Sequence, residues 1–267
     1  MSILQAIILG IVQGITEFLP ISSSAHLRIV PMLFNWDIQS ISFDLVLHAG
    51  SLLAVLIGLN KDIFSILKND LIKFKNKSHI NSYVIPKLLV ATLPAVIIGI
   101  LIKDQIEELT NNNLSMALGL ILVGIIFLFV DKIPQKSKTN SIDKISFKEA
   151  LIVGISQPLA FLRGVSRSGI TILAGVFSGI NKEIAVKFSF ILSAIILCGT
   201  SLLTFYDIVQ GSVIEPISIL IFGFFSSFIA SFIAIKTLLK ILKTNVFIYF
   251  GIYRIFIGLL ILFSNIP

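Results

Sequence analysis

The sequence predicts an all-α membrane protein that crosses the bilayer several times. Hydrophobic residues make up 56% of the 267 residues and charged residues only 13%, whereas soluble domains have about 45–50% and about 25%. The mean hydropathy is +1.01, and apolar stretches of about 17–25 residues, the length that spans a bilayer, recur along the chain. These observations predict one integral-membrane domain over residues 1–267. The net charge of +7 is assigned to basic loops beside the membrane, and no nucleic-acid partner is expected.

Six apolar stretches are predicted to cross the membrane completely, and two broken ones are predicted to enter it and turn back. The first re-entrant hairpin covers residues 3–34, where Pro20 interrupts two short apolar pieces. The second covers residues 146–180. Irregular backbone at membrane depth is tolerated only where protein or a water-filled cavity surrounds it. The complete spans are predicted at residues 43–59, 84–102, 114–130, 185–206, 214–235 and 246–263.

The distribution of positive charge predicts the orientation. The layout places nearly all lysines on the side opposite the N-terminus, in loops that contain Lys61, Lys68, Lys73, Lys75, Lys77, Lys132, Lys136, Lys138, Lys144, Lys148, Lys182, Lys187, Lys236, Lys240 and Lys243. The N-terminal side carries mainly Arg28, Lys103, Asp104, Glu107, Glu108, Asp207 and Glu215. Short Lys-rich loops stay in the cytoplasm. The sequence therefore predicts that both termini face outward.

An internal repeat relates the two halves of the chain. Residues 6–13 resemble residues 150–157, and in the same register residues 21–25 align with residues 165–169. Because three complete spans lie between the hairpins, the second hairpin enters from the opposite side. The pattern predicts an inverted-topology repeat of residues 1–135 and 146–267, a design whose ligand site lies near mid-membrane where the broken helices meet.

The first polar segment, residues 13–26, is rich in groups that are costly inside a membrane and are therefore functional candidates. Glu17 follows Gln13 by four residues, so both lie on one helix face. An acid and an amide together suit an oxygen-ligated divalent cation or general acid–base chemistry. The alternative is a hydrogen-bonded pair that only holds the hairpin.

Three hydroxyls follow the break at Pro20. If Ser24 opens the second half-helix, then Ser22, Ser23 and Ser24 form an anion site with the free backbone amides of a helix start. Any of the three can act as a nucleophile if a base is near. His26 is the expected base, or is itself the phosphate acceptor; a structural, hydrogen-bonded histidine is the alternative.

The second polar segment predicts a phosphate site. Arg167 offers a planar, permanently charged fork that matches phosphate oxygens. Glycine allows the backbone to approach a ligand closely, and hydroxyls donate hydrogen bonds. These supporting residues are Gly164, Ser166, Ser168 and Thr171. The alternative for Arg167 is an ion pair with Glu17, and the two interpretations are compatible in the protein without substrate.

Four other polar residues in apolar surroundings are lesser candidates. Asp44 and His48 lie one helical turn apart and either line the cavity or bind neighbouring helices. Arg163 is either a second anion contact or extends toward solvent. Arg254, in the last span, has the same two interpretations as Asp44 and His48.

Residues 17–26 and 164–169 resemble the two signature segments of bacterial undecaprenyl-diphosphate phosphatases of the bacitracin-resistance type. Gln13 to Glu17 is similar to the Glu/Gln-x-x-x-Glu motif of that family, and residues 188–190 and 251–254 resemble further landmarks. The resemblance covers nearly the whole chain. Two positions depart from the family pattern: Arg163 stands where a proline is usual, and Ala25 where a glycine is usual.

The resemblance implies an enzyme of the bacterial plasma membrane that removes the terminal phosphate of undecaprenyl diphosphate. The product, undecaprenyl phosphate, carries cell-wall precursors, and its recycling confers bacitracin resistance. By resemblance, Glu17 is the acidic motif residue, Ser23 the nucleophile, His26 the essential histidine and Arg167 the phosphate-binding residue. The resemblance also implies a divalent cation, Mg²⁺ or Ca²⁺, and a site that faces the periplasm.

Two functional alternatives, the nucleophile and the oligomeric state remain open at this point. Inverted repeats with broken helices are also a transporter architecture, which favours a transporter or flippase for a phosphorylated lipid or small anion. The unusual Arg163 raises the alternative of an inactive paralogue. The identity of the nucleophile, Ser23, His26 or water, is left open, as is a homodimer.

Overall fold

The computed structural model describes residues 1–102, 112–133, 139–210 and 215–263, without the side chains of residues 203–205 and 207–209. Residues Lys103, Asp104, Glu107, Glu108, Lys136 and Lys138, which entered the charge argument, lie outside these ranges, as does the side chain of Asp207. Within the described ranges the regular structure is helical, so the predicted all-α class is confirmed.

Eleven α-helices follow one another in the described part of the chain. They are α1 Ile3–Phe18, α2 Ser23–Leu33, α3 Ile41–Gly58, α4 Asn60–Lys75, α5 Ile85–Leu101, α6 Asn113–Val130, α7 Phe147–Ser156, α8 Arg167–Phe177, α9 Lys182–Val209, α10 Ile217–Ile241 and α11 Phe247–Phe263. Short 3₁₀ turns cover Ile80–Ser82, Ile142–Lys144 and Gln157–Phe161.

Several of these helices have the length and composition of membrane spans, as predicted for a multi-pass protein. Four are long and apolar enough to cross a bilayer: Ile41–Gly58, Asn113–Val130, Lys182–Leu202 and Ile217–Ile241. Four shorter helices, α1, α5, α8 and α11, are also apolar. The layout of six complete spans and two hairpins stays a prediction.

Helix α4 corrects the prediction of a Lys-rich loop after the first span. Its apolar side chains are spaced as on one helix face and are exposed: Phe64, Leu67, Leu71 and Phe74. The lysines between them lower the mean hydropathy, which made the segment resemble a loop. The buried Asp70 accepts hydrogen bonds from the backbone N–H groups of Val84 and Ile85 at 2.8 Å. This contact attaches α4 to the start of α5.

The first broken pair, α1 and α2, returns to the end of the molecule from which it starts. Residues 37–40, which follow α2, line one cavity together with Met1 and Gln5. Helix α1 packs closely on α10, since a Cβ at Gly14 would lie 2.5 Å from the carbonyl oxygen of Ser227. Small residues allow such close approach between membrane helices.

The second broken pair consists of α7, a 3₁₀ turn and α8. Its two ends also meet, because the backbone N–H of Asn181 donates to the carbonyl of Thr139 at 3.0 Å. The hydroxyl of Thr139 donates to Glu149 in the first turn of α7 at 2.8 Å. Both pairs therefore have the shape expected of a re-entrant segment.

The helices of the two halves pack in a reciprocal way. In chain order α1, α2, α3, α5 and α6 correspond to α7, α8, α9, α10 and α11. Helix α1 packs on α10 as α7 packs on α5, while α3 contacts α9 and α6 contacts α11. A two-fold axis between the halves would produce such equivalent pairs of helix contacts. The inverted repeat itself stays a prediction.

Candidate active site

Two serines with unusual backbone conformations mark the hinges of the broken helices. Ser22 has φ 77° and Ser166 has φ 72°, and each precedes the first residue of a helix, α2 and α8. Positive φ is uncommon for any residue other than glycine. The side chains repeat the pattern: Ser22 Oγ lies 3.3 Å from Ser24 Oγ, and Ser166 Oγ lies 3.2 Å from Ser168 Oγ.

Both hinges present their first helical residue to the same carboxylate, that of Glu17. The hydroxyl of Ser23 donates to Oε2 of Glu17 at 2.7 Å, and Gln13 Nε2 donates to the same oxygen at 3.0 Å. The guanidinium of Arg167 forms an ion pair with Oε1. His48 Nε2 lies 3.7 Å from Oε2. The predicted meeting of the two polar segments is thus confirmed.

The surroundings of Glu17 explain how a carboxylate is tolerated there. Only 7% of the residue is exposed, and a buried charge is stable only when it is paired and hydrogen-bonded. Because Arg167 and Glu17 come from different halves of the chain, their ion pair also fixes α8 against α1. The two interpretations of Arg167, ion pair and phosphate ligand, remain compatible.

His26 is hydrogen-bonded through both ring nitrogens, as in the structural alternative given for it above. Its Nδ1 lies 2.7 Å from the carbonyl oxygen of Ser22 and its Nε2 lies 2.7 Å from the hydroxyl of Tyr253. A carbonyl can only accept, so Nδ1 carries the proton. With both nitrogens engaged, His26 is not hydrogen-bonded to Ser23, whose hydroxyl partner is Glu17. Helix α2 also starts at Ser23, not at Ser24.

Tyr253 was not among the predicted site residues. Its ring stacks on that of His26 with a centroid distance of 5.6 Å and an angle of 10°. Together the ring contact and the hydrogen bond hold His26 against the Ser22 carbonyl. The sequence offered one signal, since Tyr253 lies in the family-like segment 251–254 next to Arg254.

Arg254 is fully buried and connects the two hinges. Its guanidinium donates to the carbonyl oxygens of Pro20 at 2.8 Å, Gly164 at 2.6 Å and Val165 at 3.0 Å. It also reaches the carbonyl of Gly119 on α6 at 3.3 Å. Helix breaks leave backbone carbonyls without partners, and Arg254 satisfies those at both breaks. This lesser candidate therefore lies beside the site and positions it.

The remaining residues of the second segment mainly build the start of α8. Gly164 has φ 88°, and a Cβ there would meet the backbone of Met116. Ser166 Oγ accepts from the N–H of Gly169 at 3.1 Å and caps the helix. The Thr171 hydroxyl donates to the carbonyl of Arg167 at 2.8 Å. The predicted phosphate contacts of Ser166 and Thr171 thus coincide with hydroxyls already used inside the first turn.

A cavity of about 110 Å³ reaches His48, whose Nε2 lies 3.7 Å from Glu17 Oε2, and we call it the outer cavity. It is lined by Ser24, Leu27, Arg28, Ile38, Gln39, Asp44, His48 and Arg163. Gln39 Nε2 donates to Asp44 Oδ1 at 2.9 Å. Three lesser candidates, Asp44, His48 and Arg163, therefore meet here. The sequence indicates Arg28 only as a charge on the N-terminal side, because nothing in it shows that α2 brings Arg28 to the same cavity as Arg163.

An apolar groove of about 540 Å³ lies between α1 and α10. Its walls come mostly from branched aliphatic side chains, and its lining includes Ile7, Ile11, Ile15, Leu19, Ile229 and Ile233. Leu19 lies beside the first hinge. The groove therefore runs along α1 toward the polar site.

The side chains around Glu17 fit a divalent cation only in part. The described residues contain no group of three or more His, Cys, Asp or Glu side chains that could hold a metal. Gln13 Oε1, however, is buried without a hydrogen-bond partner, and the other end of that amide binds Glu17. One carboxylate and one amide oxygen suit a hard cation that takes its remaining ligands from phosphate and water.

The fold and the site define a class: a multi-pass helical membrane protein that gathers a carboxylate, a hydroxyl and a guanidinium between two broken helices. Comparison with known proteins identifies the family. Residues 6–260 match the family described as bacitracin resistance protein BacA, and the chain belongs to it.

Curated relatives cover almost the entire chain. A protein of Thermodesulfovibrio yellowstonii named undecaprenyl-diphosphatase is 40% identical over 262 residues, 96% of this chain and 95% of the relative. Two further relatives carry the same name. The protein of Caldicellulosiruptor bescii is 40% identical and that of Moorella thermoacetica 38% identical, and each alignment covers 98% of this chain and 97% of the relative.

Proposed function

We propose that this protein hydrolyses undecaprenyl diphosphate to undecaprenyl phosphate and inorganic phosphate. The observation that carries the proposal is the contact of Ser23 and Arg167 with one buried carboxylate, Glu17, in a member of the BacA family. Relatives of similar length are named for this activity. The reaction would return the lipid carrier of cell-wall synthesis to use and would confer bacitracin resistance.

Ser23 is the proposed nucleophile and Glu17 its general base. The hydroxyl already donates to Glu17 Oε2 at 2.7 Å, within the distance that proton transfer requires. Ser23 Oγ attacks the terminal phosphorus, its proton passes to Glu17, and the bond between that phosphorus and the bridging oxygen breaks. Prenyl monophosphate leaves, and water then hydrolyses the phosphoserine to release inorganic phosphate.

Arg167 is proposed to change partners when the substrate arrives. Without phosphate it neutralises Glu17. Phosphate oxygens offer the guanidinium a bidentate acceptor with more negative charge, which draws Arg167 away from Oε1 of Glu17, while Oε2 stays available to accept the proton of Ser23. In the transition state the same guanidinium stabilises charge on the equatorial oxygens.

His26 is proposed to position the nucleophile. Its Nδ1–H binds the carbonyl of Ser22, the residue whose positive φ turns the chain into α2. Tyr253 holds the other ring nitrogen. The two rings therefore support the hinge that places Ser23 beside Glu17.

Glu17 and Gln13 are proposed to hold a divalent cation, Mg²⁺ or Ca²⁺, when diphosphate is bound. The free amide oxygen of Gln13 is the observation that supports this assignment. Such a cation would neutralise charge on phosphate oxygens and so would favour attack by a nucleophile. Activity that falls on addition of a chelator and returns with Mg²⁺ or Ca²⁺ would support it, whereas activity indifferent to the chelator would contradict it.

The prenyl chain is proposed to lie in the groove between α1 and α10. The groove is apolar along its length and reaches Leu19 next to the first hinge. A lipid in this position keeps its tail among aliphatic side chains while its diphosphate extends past the hinge toward Glu17.

The protein is proposed to reside in the bacterial plasma membrane with the outer cavity open to the periplasm. Ile38 and Gln39 of this cavity also line the cavity that contains Met1. A separate surface joins Lys87, Lys144 and Lys148, and Lys73 binds Asp143 there at 3.1 Å. Lysine-rich surfaces tend to face the cytoplasm, and this charge distribution supports an outward orientation of the Met1 end.

Phosphate release in detergent tests this function and separates it from transport. The purified protein should release inorganic phosphate from undecaprenyl diphosphate in the absence of any membrane gradient, and Arg167→Ala should abolish turnover. A transporter or flippase, or an inactive paralogue, would release none. Unchanged turnover of Arg167→Ala would contradict the role assigned to the guanidinium.

A further inference from the structure

The outer cavity carries an excess of positive charge. Two guanidiniums, those of Arg28 and Arg163, line it together with one carboxylate, Asp44. The charge of Asp44 attracts Arg163, while that of Arg28 repels it. The carboxylate is also occupied by the amide of Gln39 at 2.9 Å. An anion between the two arginines would relieve their mutual repulsion.

The donors of these arginines are not satisfied by carboxylates. Neither Arg28 nor Arg163 belongs to an ion pair in the described part of the chain, whereas Arg167 is paired with Glu17. Arg28 Nε and Arg163 Nη1 are buried and have no hydrogen-bond partner in the structure. Buried N–H groups without acceptors are unfavourable, so both side chains favour a ligand with several acceptor oxygens.

The size of the cavity limits the ligand to a small oxyanion. Its volume of about 110 Å³ is far below the roughly 300–1,000 Å³ of sites that hold drug-sized molecules. It corresponds to a few water molecules at about 30 Å³ each. Orthophosphate, with four oxygens on one phosphorus, matches both this size and the two guanidinium forks.

The cavity lies between the proposed reaction centre and the end of the molecule that holds Met1. Ser24 in its wall follows Ser23 directly, and His48 in its wall lies 3.7 Å from Glu17 Oε2. At its other side Ile38 and Gln39 are shared with the cavity that contains Met1. An ion that leaves Ser23 toward this end passes Arg28 and Arg163.

We propose that the outer cavity is a product subsite in which Arg28 and Arg163 bind free orthophosphate after hydrolysis, before it leaves the protein. This inference rests on the proposed phosphatase function for the origin of the phosphate. It adds that orthophosphate binds the protein without lipid and inhibits turnover. Arg163, which stands where the family usually has a proline, then serves as a ligand of orthophosphate.

Direct binding of orthophosphate in the absence of lipid tests the subsite independently of catalysis. Equilibrium dialysis with radiolabelled orthophosphate would compare the detergent-purified protein with Arg28→Gln and Arg163→Gln. Each substitution should weaken binding about tenfold, the effect of removing one charged hydrogen-bonding partner. Lys61→Gln, which removes one exposed positive charge from α4, should leave binding unchanged, and Arg163→Lys should restore part of it.

Kinetics identify the source of the phosphate group. The inhibition constant of orthophosphate against hydrolysis should rise about tenfold in each glutamine variant, more than KM for the prenyl diphosphate rises. A raised KM with an unchanged inhibition constant would overturn the proposal, because the cavity would then hold a phosphate of the lipid itself. Unchanged orthophosphate binding in both variants would also overturn it. Arginine-dependent binding without any hydrolysis would support the subsite and contradict the proposed function.

Discussion

Glu17 accepts hydrogen bonds from Gln13, Ser23 and Arg167, and of these three only Ser23 can both lose a proton and attack phosphorus. Gln13 and Arg167 bind the same carboxylate but serve as an amide and a fixed positive charge. Other hydroxyls nearby, such as those of Ser166 and Thr171, are already used to hold α8. The chemistry at the residue scale therefore depends on the short contact between Ser23 and Glu17.

Ser23→Ala is expected to lower kcat by about 10²–10⁴-fold, because it removes the proposed nucleophile and its proton transfer to Glu17. Phosphate release from a prenyl diphosphate measures the effect. Ser65→Ala, which removes an exposed hydroxyl from α4, serves as the matched control. Full activity of Ser23→Ala would reject the serine nucleophile in favour of water or His26.

Tyr253→Phe is expected to lower kcat about tenfold with little change in KM, because one hydrogen bond to His26 is lost while the ring contact remains. Tyr249→Phe on the same helix is the control, since Tyr249 is 69% exposed. A raised KM with an unchanged kcat would instead place Tyr253 in substrate binding.

At the scale of elements, the two hinges position Ser23 and Arg167 beside Glu17. Ser22 and Ser166 adopt positive φ just before α2 and α8, and such strained conformations persist only when the surrounding structure enforces them. Arg254 supplies part of that enforcement by binding carbonyls of both hinges. The two helix breaks are thus held together and form one site.

Gly164→Ala tests how tightly the second hinge is packed. The substitution combines positive φ with a Cβ that meets the backbone of Met116, so it should destabilise by more than the about 1–3 kcal/mol of backbone strain alone. Gly179→Ala is the matched control, because Gly179 has φ 102° with open space around its Cβ position. Thermal unfolding in detergent and phosphate release measure both. Equal losses for the two variants would contradict the packing argument.

At the scale of the whole molecule, reciprocal packing brings the halves together around the site. Glu17 comes from α1 and Arg167 from α8, and Arg254 on α11 contacts both hinges. The two ends of the molecule differ in charge: Lys87, Lys144 and Lys148 lie at one end, and Asp37 and Glu215 lie near Met1 at the other. This polarity gives the orientation in the membrane a direct test.

Single cysteines placed at exposed positions of the two ends should react from opposite sides of the membrane. In a Cys198→Ser background, Asp37→Cys should react with a membrane-impermeant maleimide added to intact cells, because the Met1 end is expected outside. Lys148→Cys should react only after the cells are opened, since Lys-rich segments stay in the cytoplasm. The reverse labelling pattern would overturn the proposed orientation.

Sequence reasoning worked best where one physical property dominated. The membrane class, the broken helices around Pro20 and the pairing of Glu17 with the Arg167 segment all follow from the cost of polar groups and free backbone in lipid. It failed for α4, where lysines masked a helical apolar face. It left the role of His26 open between a base and a hydrogen-bonded structural residue, because the partner Tyr253 is remote in the chain.

The sequence by itself determined that the chain is an apolar helical bundle with two polar breaks, because hydropathy and helix-breaking residues act locally. Only the tertiary structure decided which polar side chains form hydrogen bonds or ion pairs with one another. The hydrogen bonds of Ser23 with Glu17 and of His26 with Tyr253 form through three-dimensional packing, as does the cavity that Arg28 and Arg163 share. Hydrogen bonds act over about 3 Å, so partners on different helices become evident only once the helices are packed together.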